Sequence, residues 1–296
     1  MSADQRGVVL VVVSWLVVLS TVMAVTVSNT SRADTRLVGA SVAAAKARAA
    51  AESGLWLAVH GLLFGDDELW PTDGTWLTTT FNGSAVAVSI QDQAGLLDLN
   101  VSAKAILQRV IGQRLGDDRR GVVLSDKILD WRDGDTAQPL VDAGVVAEAE
   151  AYDELQNTVV RTTRPFNDIE TLRRIATITV GEYRLLAPLL TVHSQRAEIT
   201  QDTAPPALLV ALSSVGAETL DGLLKRGREV NDRPRRRRNG AFEIFVEGQV
   251  GQARRRLSAV VTLAPRRTSP FTVVSWRESW GEREPARSPS VQVVAR

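Results

Sequence analysis

The hydrophobic pattern at the start of the chain predicts one membrane-spanning helix. Val8–Val27 is a run of twenty residues without a charge, interrupted only by Ser14, Ser20, Thr21 and Thr26. As a helix this run rises about 30 Å, which is the thickness of the hydrocarbon core of a bilayer. No second run of this kind follows, so the sequence places the remaining residues on one side of a membrane.

The helical pattern continues beyond this run. Ala40–Leu63 is rich in alanine and other strong helix formers. Its apolar residues recur at three- and four-residue spacing as Ala51, Leu55, Ala58 and Leu62, with a comparable stripe upstream at Val38, Val42, Ala45 and Ala49. We predict one helix of about fifty residues, with residues 8–27 in the membrane and 28–65 leaning on a soluble domain. Gly54 should weaken it locally, and Gly61 and Gly65 should help to end it.

Alternating patterns on both sides of a helical block predict an α+β fold. The predicted strands are Ser84–Gln91, Leu96–Asn100, Phe242–Val250, Arg256–Leu263 and Pro270–Trp276. The predicted helices of the block are Ala103–Arg114, Arg119–Trp131, Ala143–Leu155, Asp168–Ile175, Val180–Leu186, Pro206–Ser213 and Glu218–Lys225. This order suggests a long N-terminal helix packed on an antiparallel sheet, with a large all-helical domain inserted between strands.

These elements divide the chain into segments. Residues 66–101 and 240–276 should form the sheet domain, and residues 102–239 the inserted helical domain. Residues 277–296 should form a flexible tail.

Composition excludes several kinds of site. The chain has no cysteine, so disulfides, thiolate metal sites and a cysteine nucleophile are excluded. It has two histidines, His60 and His193, which is too few for a site with three histidine ligands. The formal net charge of +1 does not indicate a nucleic-acid partner. No catalytic motif is present, and we predict no enzymatic activity.

Three interpretations of the N-terminus follow from the residues alone. A cleaved secretory signal usually has a shorter apolar region of about 7–15 residues. A permanent single-span anchor is the second interpretation. The third is a leader, residues 1–7, that is cut after Gly7, so that the apolar helix stays on the mature protein.

Several short segments in the middle of the chain carry a family resemblance. They are Asp92–Asn100, Ile128–Asp135, Arg164–Arg173, Tyr183–Val192 and Thr200–Ala204, and Ala51–Ala58 precedes them. In this order and spacing they resemble the minor pseudopilin K of the type II secretion system, the general secretion pathway protein K family. The resemblance extends over about residues 5–276. It departs at Asp202, where the family usually has asparagine, and the tail Gly281–Arg296 has no recognised counterpart.

The resemblance implies a processing site and a packing helix. Prepilin peptidase would cut between Gly7 and Val8, and Val8 would become the N-methylated first residue. Val12 stands where most pilins have a glutamate. The absence of this glutamate is characteristic of the K-type family. Val12, Leu16 and Leu19 would then pack against the helices of other subunits. The resemblance also implies a single-pass protein of the inner membrane whose C-terminal body lies in the periplasm.

The resemblance implies partners as well. K-type pseudopilins form a complex with the I-type and J-type minor pseudopilins at the tip of the pseudopilus. The tip is associated with the start of assembly and with contact to the secretin channel or the exported protein. Prepilin peptidase is the further expected partner.

An acidic cluster permits two interpretations. Asp130, Asp133 and Asp135 offer hard oxygen ligands that suit calcium, and the resemblance supports calcium in the helical domain. The alternative is a helix end and turn with ordinary surface pairing between Asp130 and Arg132.

The alternative function is a membrane-anchored periplasmic DNA-binding module. It would use a helix-hairpin-helix-like unit in Asp168–Val192 and the basic run Arg233–Arg238. A hairpin that contacts phosphate is usually glycine-rich, whereas the turn Ala176–Gly181 contains one glycine. We therefore favour a purely structural hairpin. We also favour a solvated loop for the basic run, in which Arg235–Arg238 could at most contact anionic lipid or an acidic partner.

Overall fold

The computed structural model describes residues 3–65, 69–133, 165–175, 178–213, 222–225, 240–264, 269–279 and 291–292. Helix α1 spans Ala3–Phe64 and has 62 residues. At 1.5 Å per residue it is about 90 Å long. The long helix inferred from the sequence is therefore present, and it begins within the predicted leader.

The main sheet has six strands in the described residues. They are β1 (Asp73–Phe81), β2 (Ser84–Asp92), β7 (Gly240–Val250), β8 (Ala253–Leu263), β9 (Phe271–Arg277) and β10 (Val291–Gln292), in the spatial order β10-β1-β2-β7-β8-β9. All neighbours are antiparallel except β1 and β10, which are parallel. The predicted α+β fold, with a long helix on an antiparallel sheet, is confirmed.

The pairing of β2 with β7 shows where the helical block is inserted. Val88 lies opposite Val246, although the two residues are far apart in sequence. The residues between these two strands leave the sheet at Asp92 and return to it at Gly240. Side chains alternate between the two faces of a strand. The aliphatic side chains on one face of the sheet are buried against α1.

The inserted segment has its own hydrophobic core. In the part of this segment that the structure describes, the helices are α2 (Lys104–Leu115), α3 (Asp118–Asp133), α4 (Val180–Leu186) and α5 (Pro206–Leu212), with 3₁₀ turns at Gln93–Gly95, Ile169–Arg174, Ala187–Leu189 and Gln201–Thr203. The described residues also contain two parallel pairs of short strands, β3 (Leu97–Asp98) with β4 (Leu190–Thr191) and β5 (Ile199–Thr200) with β6 (Leu224–Lys225). Leu107, Leu124 and Leu190 are fully buried in this core.

Several local predictions differ from the structure. The extended piece after Asp92 pairs with β4 and buries Leu97 and Leu99 in the inserted core, so the inserted body begins before residue 102. Asp168–Ile175 contains a 3₁₀ helix because the Asp168 carboxylate accepts the Glu170 amide and fixes a tight first turn.

Three further predictions concern helices in the inserted body and the C-terminal tail. The first half of the predicted helix Glu218–Lys225 lies outside the described residues, and its end is not helical, because Leu224 and Lys225 form strand β6 and pair with β5. Val291–Gln292 pairs with β1 at one edge of the sheet, so the tail contains an ordered strand that its composition did not indicate. The predicted helix Ala143–Leu155 lies outside the described residues.

Candidate assembly surface

One face of α1 packs closely on the sheet. Its buried residues are Ala47, Ala50, Ala51, Leu55, Ala58, Val59 and Leu62. A β-carbon at Gly54 would lie 2.5 Å from Val86 Cγ1 and 2.8 Å from Val246 Cγ1. Both distances are too short for carbon atoms, so Gly54 lets the helix approach the sheet. Gly54 was expected only to weaken the helix, and its role in packing depends on Val86 and Val246, which are distant in sequence.

The opposite face of α1 exposes apolar residues. Val38 is 62% exposed and Val42 is 47% exposed, and Ala45 and Ala49 are also exposed. The helix does pack on the sheet, but through the face of Ala51 and Leu55 and not through this stripe. At 100° per residue the stripe lies on the side of the helix opposite Ala47 and Ala51, which explains why it continues at Trp56 rather than at Leu55.

Three aromatic side chains lie beside this stripe. Trp56 of α1 contacts Phe271 and Trp276 of the edge strand β9, with ring centroids 6.0 Å and 6.3 Å apart. Trp56 is 45% exposed and Trp276 is 39% exposed. We call Trp56, Phe271 and Trp276 the aromatic ledge. Large exposed aromatic side chains of this kind are enriched in protein interfaces.

Three charged side chains, linked by hydrogen bonds, lie beside the aromatic ledge. Arg48 donates from Nε to Glu52 at 3.0 Å and from Nη2 to Glu278 at 2.6 Å. The hydrogen bond with Glu52, followed by the charge of Glu278, raises the pKa of Arg48. These contacts join α1 to the end of β9 and keep the charges at the border of the apolar surface.

The N-terminal part of α1 is apolar on its exposed surface. Val12, Leu16 and Leu19, the predicted subunit-packing residues, are exposed by 52%, 57% and 63%. Gly7 and Val8 lie within the helix. Within the part of α1 and the other helices that the structure describes, no segment has the length and hydropathy needed to cross a membrane.

Ion pairs and hydrogen bonds hold the inserted body against the sheet. Arg277 of β9 donates to Asp168 at 2.6 Å, and Gln91 of β2 donates from Nε2 to the carbonyl of Thr203 at 2.8 Å. Burial lowers the pKa of Arg277, but the charge and hydrogen bond of Asp168, together with the charges of Glu243 and Glu170, outweigh burial and raise the pKa. These bonds attach the body to the main sheet at two of its strands.

The acidic cluster is described only in part. Asp130 and Asp133 lie three residues apart at the end of α3, whereas Asp135 lies outside the described residues. One turn earlier on α3, the buried Asp126 forms an ion pair with Lys104 of α2 at 2.6 Å. Among the described residues, no three acidic or histidine side chains form a group that could hold a metal ion.

Helix α4 forms the second half of the predicted hairpin, and its N-terminus is capped by side chains of the protein itself. Thr179 donates from its amide and its hydroxyl to Glu182 Oε2, and the Glu182 amide donates to the Thr179 hydroxyl. A carboxylate therefore occupies the N-terminus of α4, where a phosphate would otherwise bind. The basic run Arg233–Arg238 lies outside the described residues.

One segment of the chain matches a known family model. Residues 84–195 match the family model described as type II secretion system protein K. This segment runs from β2 through most of the inserted body, and it contains four of the five motifs that carried the resemblance. The resemblance to type II secretion protein K is confirmed.

A solved structure agrees with this family in fold. The chain is similar to one chain of the GspK-GspI-GspJ complex of enterotoxigenic Escherichia coli, with 17% identity and a TM-score of 0.51. The match covers 84% of this chain and 98% of the other. At this identity the likeness shows a shared fold, and the protein K match covers strand β2 and part of the inserted body within it. No curated protein sequence matches the chain.

Proposed function

We propose that this protein is a minor pseudopilin that occupies the tip of a type II secretion pseudopilus. One observation carries the proposal: a helix of 62 residues with an exposed apolar face and a bulky second body occur on the same sheet domain. The helix offers a surface for packing along sister subunits. The body attached at Asp168 and Arg277 would obstruct a tightly packed shaft and suits an end position.

Processing after Gly7 belongs to this proposal. The cut leaves Val8–Val27 as the span in the inner membrane and places the sheet and inserted body in the periplasm. Val12 supports an end position, because a carboxylate in the bilayer is costly unless a neighbour pairs with it. A subunit without a neighbour above it is more stable with an apolar residue there.

Mass spectrometry of the N-terminus tests this processing. The mature chain is expected to begin at an N-methylated Val8. Gly7→Leu should leave an unprocessed precursor that does not assemble, whereas the matched control Gly39→Leu should be processed normally, because Gly39 has open space around its α-carbon. A mature chain beginning at Ala33 or later would contradict the proposal.

The proposed partners are the I-type and J-type minor pseudopilins, prepilin peptidase and, at the tip, the secretin or the exported protein. The solved complex of the structural neighbour contains a GspI and a GspJ chain. Coexpression of the full-length chain with the I-type and J-type subunits, followed by purification in detergent, should yield a complex of fixed stoichiometry. Incorporation of this chain along the length of filaments would contradict the tip position.

A calcium site is the remaining element of the proposal. Asp130 and Asp133 are one helical turn apart, a spacing at which two carboxylates can reach one ion, and Asp135 follows closely in sequence. Calcium titration of the full chain by calorimetry should give one binding event that Asp130→Asn weakens. The control Asp117→Asn, at a surface position between α2 and α3, should leave it unchanged. Equal binding by both variants would contradict this site.

The DNA-binding alternative has less support. The carboxylate of Glu182 fills the terminus of α4, and it would repel a phosphate. A salt-dependent DNA-binding assay separates the two functions, because a tip subunit should show no specific retention of DNA.

A further inference from the structure

We propose that the outer edge of β1 is a strand-binding site, that strand β10 of the same chain occupies it, and that this occupancy keeps β1 from pairing with a second copy of the protein. Leu77 lies opposite Val291 and Thr78 lies opposite Gln292 in a parallel ladder. On its other side β1 pairs with β2, so β10 covers the outer edge of the main sheet. This site does not depend on a position at the tip of a pseudopilus.

Strand β1 lacks the features that usually protect an edge strand. Gly74–Phe81 contains no charged residue and no proline, whereas natural edge strands are protected by charges, proline or bulges. The register shift in its pairing with β2 lies at the start, between Asp73 and Trp76, and Trp76–Phe81 pair without interruption. Thr78–Thr80 also have a high preference for strands. An uncharged and regular edge of this kind readily pairs with another chain.

The opposite edge of the sheet is built differently. Strand β9 pairs with β8 through a ladder that is shifted in its middle, between Val260 and Val261. It ends at the charged Arg277, which donates to Asp168 of the inserted body at 2.6 Å. A bulge and a charge both oppose pairing with a further strand. Strand β9 therefore has protection of its own, and β1 has β10.

The length of the chain between β9 and β10 allows this cover. Residues 278–290, thirteen in number, connect the two strands. Strands β9 and β10 stand at opposite edges of the sheet, five strand spacings apart, which is about 24 Å. Thirteen residues can span up to about 43 Å. The C-terminal segment is thus long enough to cross the whole sheet and reach its other edge.

The position of β10 on β1 explains how so short a strand can protect the edge. Its partners Leu77 and Thr78 lie within the regular stretch Trp76–Phe81. Leu77 is 7% exposed, whereas Phe81, at the far end of the stretch, is 42% exposed. With two positions occupied, the longest free part of this stretch is Thr79–Phe81, which is shorter than the usual strand of about five to six residues.

Amide hydrogen exchange tests whether β10 occupies the edge. Proline has no amide hydrogen, and consecutive residues of a strand point their amides to opposite sides. Val291→Pro with Gln292→Pro therefore removes the donor that faces β1. In the full-length protein in detergent, the amides of Trp76–Thr79 that point away from β2 should exchange at least about tenfold faster.

Two controls accompany this measurement. Val291→Thr with Gln292→Thr keeps both amides and a preference for strands, so exchange in β1 should stay as in the unmodified protein. The amides of Val86–Val88 should keep their protection in every variant, because β2 is paired on both sides. Their protection shows that the sheet of the proline variant is folded.

Sedimentation in detergent tests the consequence of the cover. The proline variant should form a dimer whose fraction increases with protein concentration, because two free β1 edges offer each other matching amide and carbonyl groups. The unmodified protein and the threonine control should remain monomeric. Adding Thr80→Lys to the proline variant should restore the monomer, since a charge on an edge strand opposes pairing and Thr80 is exposed.

Three results would overturn the proposal. Unchanged exchange in β1 of the proline variant would mean that β10 does not occupy the edge. Faster exchange without self-association would mean that the edge needs no cover. A dimer that persists with Thr80→Lys would mean that the copies pair elsewhere. None of these results bears on the tip position, which the N-terminal sequence and the complex with the I-type and J-type subunits test separately.

Discussion

The backbone of Ala47 lies directly against Gly248. A β-carbon at position 248 would overlap the carbonyl oxygen of Ala47 and would lie 2.7 Å from the amide nitrogen of Ala51. Both neighbours are backbone atoms of α1, so they cannot move without displacing the helix. This contact sets how closely the long helix approaches β7.

We therefore expect Gly248→Ala to destabilise the sheet domain by about 1–3 kcal/mol, the usual cost of an extra methyl group in a tightly packed region. Urea unfolding of the full-length protein in detergent should show the loss. Gly39→Ala is the control, because nothing lies near a β-carbon at that position and alanine favours a helix. A Gly248 variant as stable as the unmodified protein would show that the helix can shift away from the sheet.

Two neighbouring leucines on α1 test the inward face. Leu55 is fully buried between the helix and the sheet, whereas Leu57 is 37% exposed. Leu55→Ala should lower the free energy of unfolding by about 2–5 kcal/mol, because it removes buried contacts and leaves a cavity. Leu57→Ala should cost less than about 1 kcal/mol. Equal losses in the two variants would mean that this face of the helix is not the packed one.

Periodicity predicted the elements whose packing is local and repetitive. The three- and four-residue spacing of Ala51, Leu55, Ala58 and Leu62 identified the buried face of α1, and all four are buried. This pattern is a direct consequence of one face being removed from water. The alternation in Phe242–Val250 identified β7, although residues 241–246 of this central strand are buried on both faces of the sheet.

The structural features that the sequence did not predict depend on contacts between residues that are distant in sequence. Gly248 carries no pattern of its own, and only the position of Ala47 explains it. Strand β1 was not identified because Thr78, Thr79 and Thr80 replace the apolar alternation of a buried strand. The aromatic ledge joins Trp56 to Trp276 across the fold, so no local window contains it.

The bond between Arg277 and Asp168 should hold the inserted body to the sheet. Arg277→Gln is expected to cost about 0.5–1.5 kcal/mol, because the side chains are 25% and 42% exposed and water screens part of the attraction. A double-mutant cycle with Asp168→Asn, measured by urea unfolding in detergent, isolates the pair from the capping role of Asp168. Asparagine can still accept the Glu170 amide. Additive effects of the two substitutions would show that the pair contributes nothing.

The ion pair between Arg120 of α3 and Glu182 of α4 should make the inserted body sensitive to acid. Arg120 donates from Nε to Oε1 at 2.5 Å and from Nη2 to Oε2 at 2.9 Å. The hydrogen bond from Arg120 lowers the pKa of Glu182 to about 2, against the opposing effect of burial and with help from Thr179. In the unfolded chain this carboxyl has its ordinary pKa of 4.5.

A lowered pKa in the folded state stabilises the fold above the unfolded pKa, and the stabilisation is lost as the carboxylate becomes protonated. The contribution of Glu182 should therefore be complete above about pH 4.5 and fall progressively towards pH 2. Glu182→Gln removes the charge and keeps an amide that can complete the capping box with Thr179. At pH 6 this variant should be about 1.5–3 kcal/mol less stable than the unmodified protein.

Urea unfolding at a series of pH values checks this prediction. The difference in free energy of unfolding between the unmodified protein and Glu182→Gln should decrease below about pH 4.5 and nearly disappear near pH 2. Glu170→Gln is the control, since Glu170 pairs with Arg173 at 3.5 Å with both side chains partly exposed, and its effect at pH 6 should be below about 1 kcal/mol. A Glu182→Gln difference that stays constant from pH 6 to pH 2 would mean that the charge of Glu182 does not stabilise the contact between α3 and α4.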